Sequence, residues 1–89
     1  MRLLLLNPNT TEALTDRLAR SAATVLPADV ELLALTARQG FPYISSRAEA
    51  QIAGAAVLDL LAQHEGRFDA AVIAAFGDPG LSAARELFD

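Results

Sequence analysis

The sequence predicts an α/β fold, a three-layer arrangement in which a parallel sheet of strand order 2-1-3 carries helices on its faces. Three observations predict it. Short apolar runs alternate with helical stripes in the order β-α-β-α-β-α along 89 residues. The runs are continuously hydrophobic, as in strands covered on both faces, and each helical stripe follows a residue able to cap it.

The first strand is Leu3 to Leu6, closed by Asn7-Pro8-Asn9. Asn9 is then placed to cap a helix with Glu12 three residues on. Leu14, Leu18, Ala22, Val25 and Leu26 follow at helical spacing until Pro27 stops the pattern. Val30 to Thr36 reads as a second strand at the sheet edge. Ala37 to Ser45 is a loop longer than a plain βα turn, carrying Gly40, Phe41, Pro42 and Tyr43. Ser46-Arg47-Ala48-Glu49 fits a capping box, and Ala50, Ala53, Val57, Leu60 and Leu61 form the stripe of the second helix. Ile52, Ala56 and Leu58 spread its apolar surface beyond that stripe. Asp69 to Phe76 is the third strand, and Gly77-Asp78-Pro79 opens a last helix with Asp78 as cap and Pro79 at its first position.

Composition narrows the function. The chain is 53% hydrophobic and 20% charged, which gives it enough apolar surface for a core. Its length makes residues 1–89 one domain. The net charge is −4 and the seven arginines are scattered, so no basic stripe is present for a nucleic acid. There is no cysteine, which excludes a disulfide framework, a zinc ribbon and thiol catalysis by this chain. The run Leu3–Leu6 is too short for a signal sequence or a membrane span, and a cytoplasmic location is expected.

In an open parallel sheet, ligands bind beyond the carboxyl ends of the strands. Three loops converge there: Asn7–Thr11, Gly40–Ser46 and Gly77–Gly80. Their amides and hydroxyls suit a small carboxylate or amide, although Asn7, Asn9, Ser46 and Asp78 equally fit turn and cap positions. No glycine follows the first strand, which argues against dinucleotide and P-loop binding. His64 falls at the end of the second helix, away from those loops, and reads as a surface residue favouring the helix dipole. Ser82 has no histidine near it, and Arg85 reads as part of a solvated helix face.

Leu3–Thr11, Phe41–Ser46 (Phe-Pro-Tyr-Ile-Ser-Ser) and Val72–Leu81 (Val-Ile-Ala-Ala-Phe-Gly-Asp-Pro-Gly-Leu) together resemble the Asp/Glu/hydantoin racemase family, near its hydantoin racemases. The resemblance implies a cofactor-independent and metal-independent isomerase of two α/β lobes, with a cysteine from each lobe facing the substrate carbon. It implies substrate-binding roles for Asn7, Asn9, Thr10, Thr11, Ser45, Gly77 and Asp78. It also places the first-lobe cysteine at the position held here by Ala75, so no residue of this chain takes the catalytic role. On this reading residues 1–89 are a truncated N-terminal lobe, inactive alone, whose partners are a small carboxylate or hydantoin-like ligand and either a missing C-terminal portion or copies of itself. The alternative is a non-catalytic α/β module that binds a small carboxylate or serves an interaction.

Overall fold

The structure, a computed structural model, describes residues 1–88. Its elements run β1 (Arg2–Asn7), α1 (Glu12–Ala23), β2 (Glu31–Thr36), α2 (Arg47–Gln63), β3 (Ala70–Ile73) and α3 (Leu81–Phe88). The strands form one parallel sheet of order β2-β1-β3, the arrangement expected from the sequence.

β1 is central because it alone is hydrogen-bonded along both edges, with Leu4 opposite Leu33 on one side and Ala71 on the other. Strand side chains alternate between faces. Leu4 and Leu6 therefore point together into the main core, where they meet Val57, Leu60 and Leu61 of α2 and Ala84 of α3. Leu6 and Val57 are wholly buried. Burying a leucine or valine side chain is worth about 1.5–3 kcal/mol, so this face supplies much of the folding drive. Asn7 lies on the opposite face under α1, directly paired in register with Thr36.

Four boundaries differ by two residues or more from the sequence expectation. α1 starts at Glu12 with Thr11 in the cap position, and the Asn9 side chain instead accepts from the Thr11 N–H at 2.9 Å. Asn9 is held back by Asn7, so its oxygen closes a turn before the helix rather than capping it. α1 also ends at Ala23, which leaves Val25 79% exposed outside the stripe assigned to it. β3 ends at Ile73 rather than Phe76, because the chain turns there and Phe76 projects fully into solvent. α3 begins at Leu81, not Pro79: Asp78 and Gly80 take left-handed conformations (φ +47° and +82°), and the Leu81 N–H closes a turn onto the Asp78 carbonyl at 3.1 Å. The second helix behaves as its capping box predicts at one end, with the Ser46 hydroxyl accepting from the Glu49 N–H.

The turn before α3 is fixed by backbone packed on backbone. A β-carbon on Gly80 would lie 2.9 Å from the Gly54 carbonyl oxygen, and one on Gly54 would lie 3.1 Å from the Gly80 nitrogen. These two glycines let α2 and α3 meet at the level of the third loop. Gly80→Ala adds a left-handed alanine to that clash and is expected to cost about 2–3 kcal/mol in urea unfolding. Gly54→Ala should cost less, since helix propensity returns up to about 1 kcal/mol.

Candidate functional site

The carboxyl ends of β1 and β3 and the long loop after β2 surround a cleft of about 590 Å³. That volume lies within the range of small-molecule sites, about 300–1,000 Å³. The first loop and α1 contribute Asn9, Leu14 and Leu18; the second loop and α2 contribute Tyr43, Ile44 and Ala50; the third contributes Ala74, Ala75, Phe76, Gly77 and Pro79. None of these side chains is charged.

Beneath the cleft, Asn7 is fully buried with every polar atom engaged. Its Oδ1 accepts from the Asn9 N–H at 3.1 Å. Its Nδ2 donates toward Asn9 Oδ1 at 2.9 Å, the Thr11 carbonyl at 3.1 Å and Thr15 Oγ1 at 3.0 Å. Thr15, the buried residue of α1, lies 2.7 Å from Thr36 Oγ1 at the end of β2. One carboxamide thus ties together β1, the first loop, α1 and, through Thr15, β2.

The second loop is stapled to the first. The Thr10 N–H donates to the Phe41 carbonyl at 2.9 Å, and the Thr11 hydroxyl to the Pro42 carbonyl at 2.9 Å. These bonds bring Tyr43 and Ile44 to the cleft. At the far end of the same loop, Glu49 accepts from both the N–H and the hydroxyl of Ser45, each at 2.7 Å. The Ser45 hydroxyl bond, followed by its backbone N–H, holds the Glu49 carboxyl below its ordinary value of 4.5.

Of the residues singled out by sequence, Asn9, Ala75 and Gly77 border the cleft. Asn7 lies underneath, with its side chain spent on the scaffold. Thr11 and Ser45 are joined to loop partners, and the Thr10 side chain borders a separate depression with Glu12, Thr36 and Arg38. Asp78 is exposed in its turn. Sequence reasoning missed Leu14, Leu18 and Phe76 as cleft residues and Thr15 as a buried hub. Leu14 and Leu18 are legible only as part of a helix stripe, and Thr15, being polar, leaves no mark in a stripe of apolar positions. His64 sits at the C-terminal end of α2, its Nδ1 2.8 Å from the Leu60 carbonyl, remote from the cleft lining. Among the described residues no group of three or more His, Cys, Asp or Glu side chains is gathered for a metal, and no helix is long and apolar enough to cross a membrane.

Two outcomes test this geometry. Asn7→Ala should lower stability by about 2–3 kcal/mol, since several hydrogen bonds at a buried position are lost together. Asn7→Asp sets a carboxylate against the Asn9 and Thr11 oxygens, so its folded pKa rises above the unfolded value of about 3.9. Relative to the parent chain at the same pH, this variant should be least impaired below about pH 4 and lose stability as pH rises toward its raised folded pKa, as read by urea unfolding across pH. Glu49 has the opposite sign: its contribution is present above 4.5 and fades as pH falls through its lowered folded value. Ser45→Ala should move the Glu49 carboxyl back up toward 4.5 in a carbon NMR titration.

Known proteins place this geometry in a family. The Asp/Glu/Hydantoin racemase family profile matches residues 3–89. The chain is 36% identical over 91 aligned positions to a hydantoin racemase of Paenarthrobacter aurescens and 34% identical over 90 to one of Pseudomonas sp. strain NS671. Both alignments take in the whole chain but only 39% and 36% of those proteins. Among solved structures, an allantoin racemase from Klebsiella pneumoniae superposes with a TM-score of 0.91 at 42% identity, over 98% of this chain and 36% of that one. An allantoin racemase from Pseudomonas fluorescens gives 0.83 at 32% identity, over 88% and 33%. The chain therefore spans little more than a third of its curated relatives' length, and over that span it belongs to the Asp/Glu/hydantoin racemase family.

Proposed function

We propose that this chain is the substrate-binding first lobe of a racemase-type protein, and that the ligand it holds is a neutral cyclic ureide of the hydantoin or allantoin kind. The observation that carries this reading is the cleft wall, which bears no charged side chain. An amino dicarboxylate leaving water for such a wall would lose hydration of its charges without gaining a counter-charge from this lobe. A ureide ring carries only amide groups and meets that cost far more easily. The relatives are named for hydantoin and allantoin, in agreement with that chemistry.

Racemisation in this scheme takes a proton from one face of an acidic C–H next to a carbonyl and returns one to the other, while donors stabilise the enolate between. Two acid–base groups are required. Ala75 stands at the cleft where the family resemblance expects a thiol, and a methyl group carries no proton. This lobe accordingly binds and orients, without metal or cofactor, and the isolated chain is inactive. Ala75 also supports a second reading, a family branch that has kept the ligand loops for binding alone. Under either reading the protein is cytoplasmic. The exposed edge of β3 at Val72 and the exposed Ile52 of α2 are then covered by the rest of a two-lobe protein or by another copy.

Titration calorimetry of the 89-residue chain should show binding of hydantoin and allantoin and much weaker binding of aspartate and glutamate. In deuterated water no ligand should racemise, and Ala75→Cys should not restore racemisation, because one thiol serves one face. Two-way racemisation by the chain, or aspartate binding as tight as hydantoin, overturns the proposal.

A further inference from the structure

The hydrogen bonds beneath the cleft determine which end of the Asn9 carboxamide faces a ligand. The Thr11 carbonyl can only accept and the Asn9 N–H can only donate, so the Asn7 side chain has one allowed orientation, Nδ2 toward Thr11 and Oδ1 toward Asn9. Asn7 Nδ2 then also donates to the Asn9 side chain at 2.9 Å, and the Thr11 N–H donates to that same atom at 2.9 Å. Two donors converge on it, so it must be Oδ1. The remaining end of Asn9 is its NH₂ group, which makes no hydrogen bond among the described residues while Asn9 borders the cleft.

We propose that Asn9 is a specificity-determining hydrogen-bond donor, locked in that sense by Asn7, which selects a ligand presenting an acceptor oxygen to the first loop. The inference rests on the ureide reading for the identity of the ligand, but the lock itself is a property of this chain. Asn7 is a positioning residue: wholly buried, it has no free polar atom to offer a ligand and acts by holding the Asn9 oxygen inward. A group that can only donate would find no acceptor at Asn9, because both bonds to its oxygen come from within the loop.

The decisive variant is Asn9→Asp. A carboxylate keeps an oxygen for the Thr11 N–H and for Asn7, so both internal bonds survive, and a negative charge just before the N-terminus of α1 is favoured by the helix dipole. Only the outward group changes, from donor to acceptor. N9D should therefore unfold at the same or a slightly higher temperature than the parent chain, yet bind hydantoin and allantoin at least about tenfold more weakly by calorimetry. A second measurement needs no ligand. In nitrogen-15 spectra of the free chain, the Asn7 side-chain NH₂ should exchange slowly with water and the Asn9 NH₂ quickly, and added hydantoin should shift the Asn9 NH₂ signal.

Hydantoin binding by N9D within about threefold of the parent overturns the donor role while leaving the ureide reading in place. A slowly exchanging Asn9 NH₂ in the free chain overturns the lock. If neither hydantoin nor allantoin binds the parent chain, the ureide reading fails, and the exchange measurement still decides the orientation of Asn9.

Discussion

The first two loops at the carboxyl end of the sheet depend on one buried carboxamide. Asn7 ends the central strand, and its polar atoms are out of reach of water, so each must be matched inside the protein or cost about 1–3 kcal/mol. The match is complete. It is made by the backbone of the first loop, the first turn of α1 and, through Thr15, the end of β2. An apolar residue at position 7 would continue the run Leu3–Leu6 and satisfy the sheet, but would leave the loop without its fixed point.

From that point the cleft is assembled by relay. The first loop, held by Asn7, presents the Thr10 N–H and the Thr11 hydroxyl to the carbonyls of Phe41 and Pro42, so the second loop takes its position from the first. The third loop is positioned separately, by the contact of Gly80 with Gly54 on α2. The two mechanisms differ in character. Hydrogen bonds define direction, whereas backbone-on-backbone packing tolerates no added carbon and defines distance. A ligand between the loops would touch surfaces located independently from β1 and from α2, and both elements are anchored in the same core through Leu4, Leu6 and Val57.

The fold was legible because it rests on patterns with a period. Continuous apolar runs, helical stripes and the Ser46 capping box marked each element, and their alternation marked the sheet as parallel. The site was less legible, because its decisive features are not periodic. Asn9 has the chemistry of a cap, and only the competing bond from Asn7 shows why its oxygen closes a turn instead. Asp78-Pro79 has the form of a helix start, but a left-handed Asp78 and the close approach at Gly80 postpone the helix to Leu81. Thr15 is polar within an otherwise ordinary helix, so its burial follows from a partner eight residues earlier and not from its own neighbourhood. The resemblance to a family brought Asn7 and Asn9 forward together; the geometry separates them into a residue that holds and a residue that faces the cleft.

That separation bears on how binding and proton transfer divide in such a protein. The donor at Asn9 and the methyl of Ala75 border the same cleft but arise from different strands, one after β1 and the other after β3. Nothing in the Asn7 network passes through residue 75, whose carbonyl merely accepts a turn bond from the Asp78 N–H at 3.3 Å. Exchange of a thiol for a methyl there removes a chemical group without disturbing the orientation of Asn9. A lobe built this way keeps its recognition geometry whether or not it supplies an acid–base group, because the constraint that orients the donor is satisfied entirely between the end of β1 and the first loop.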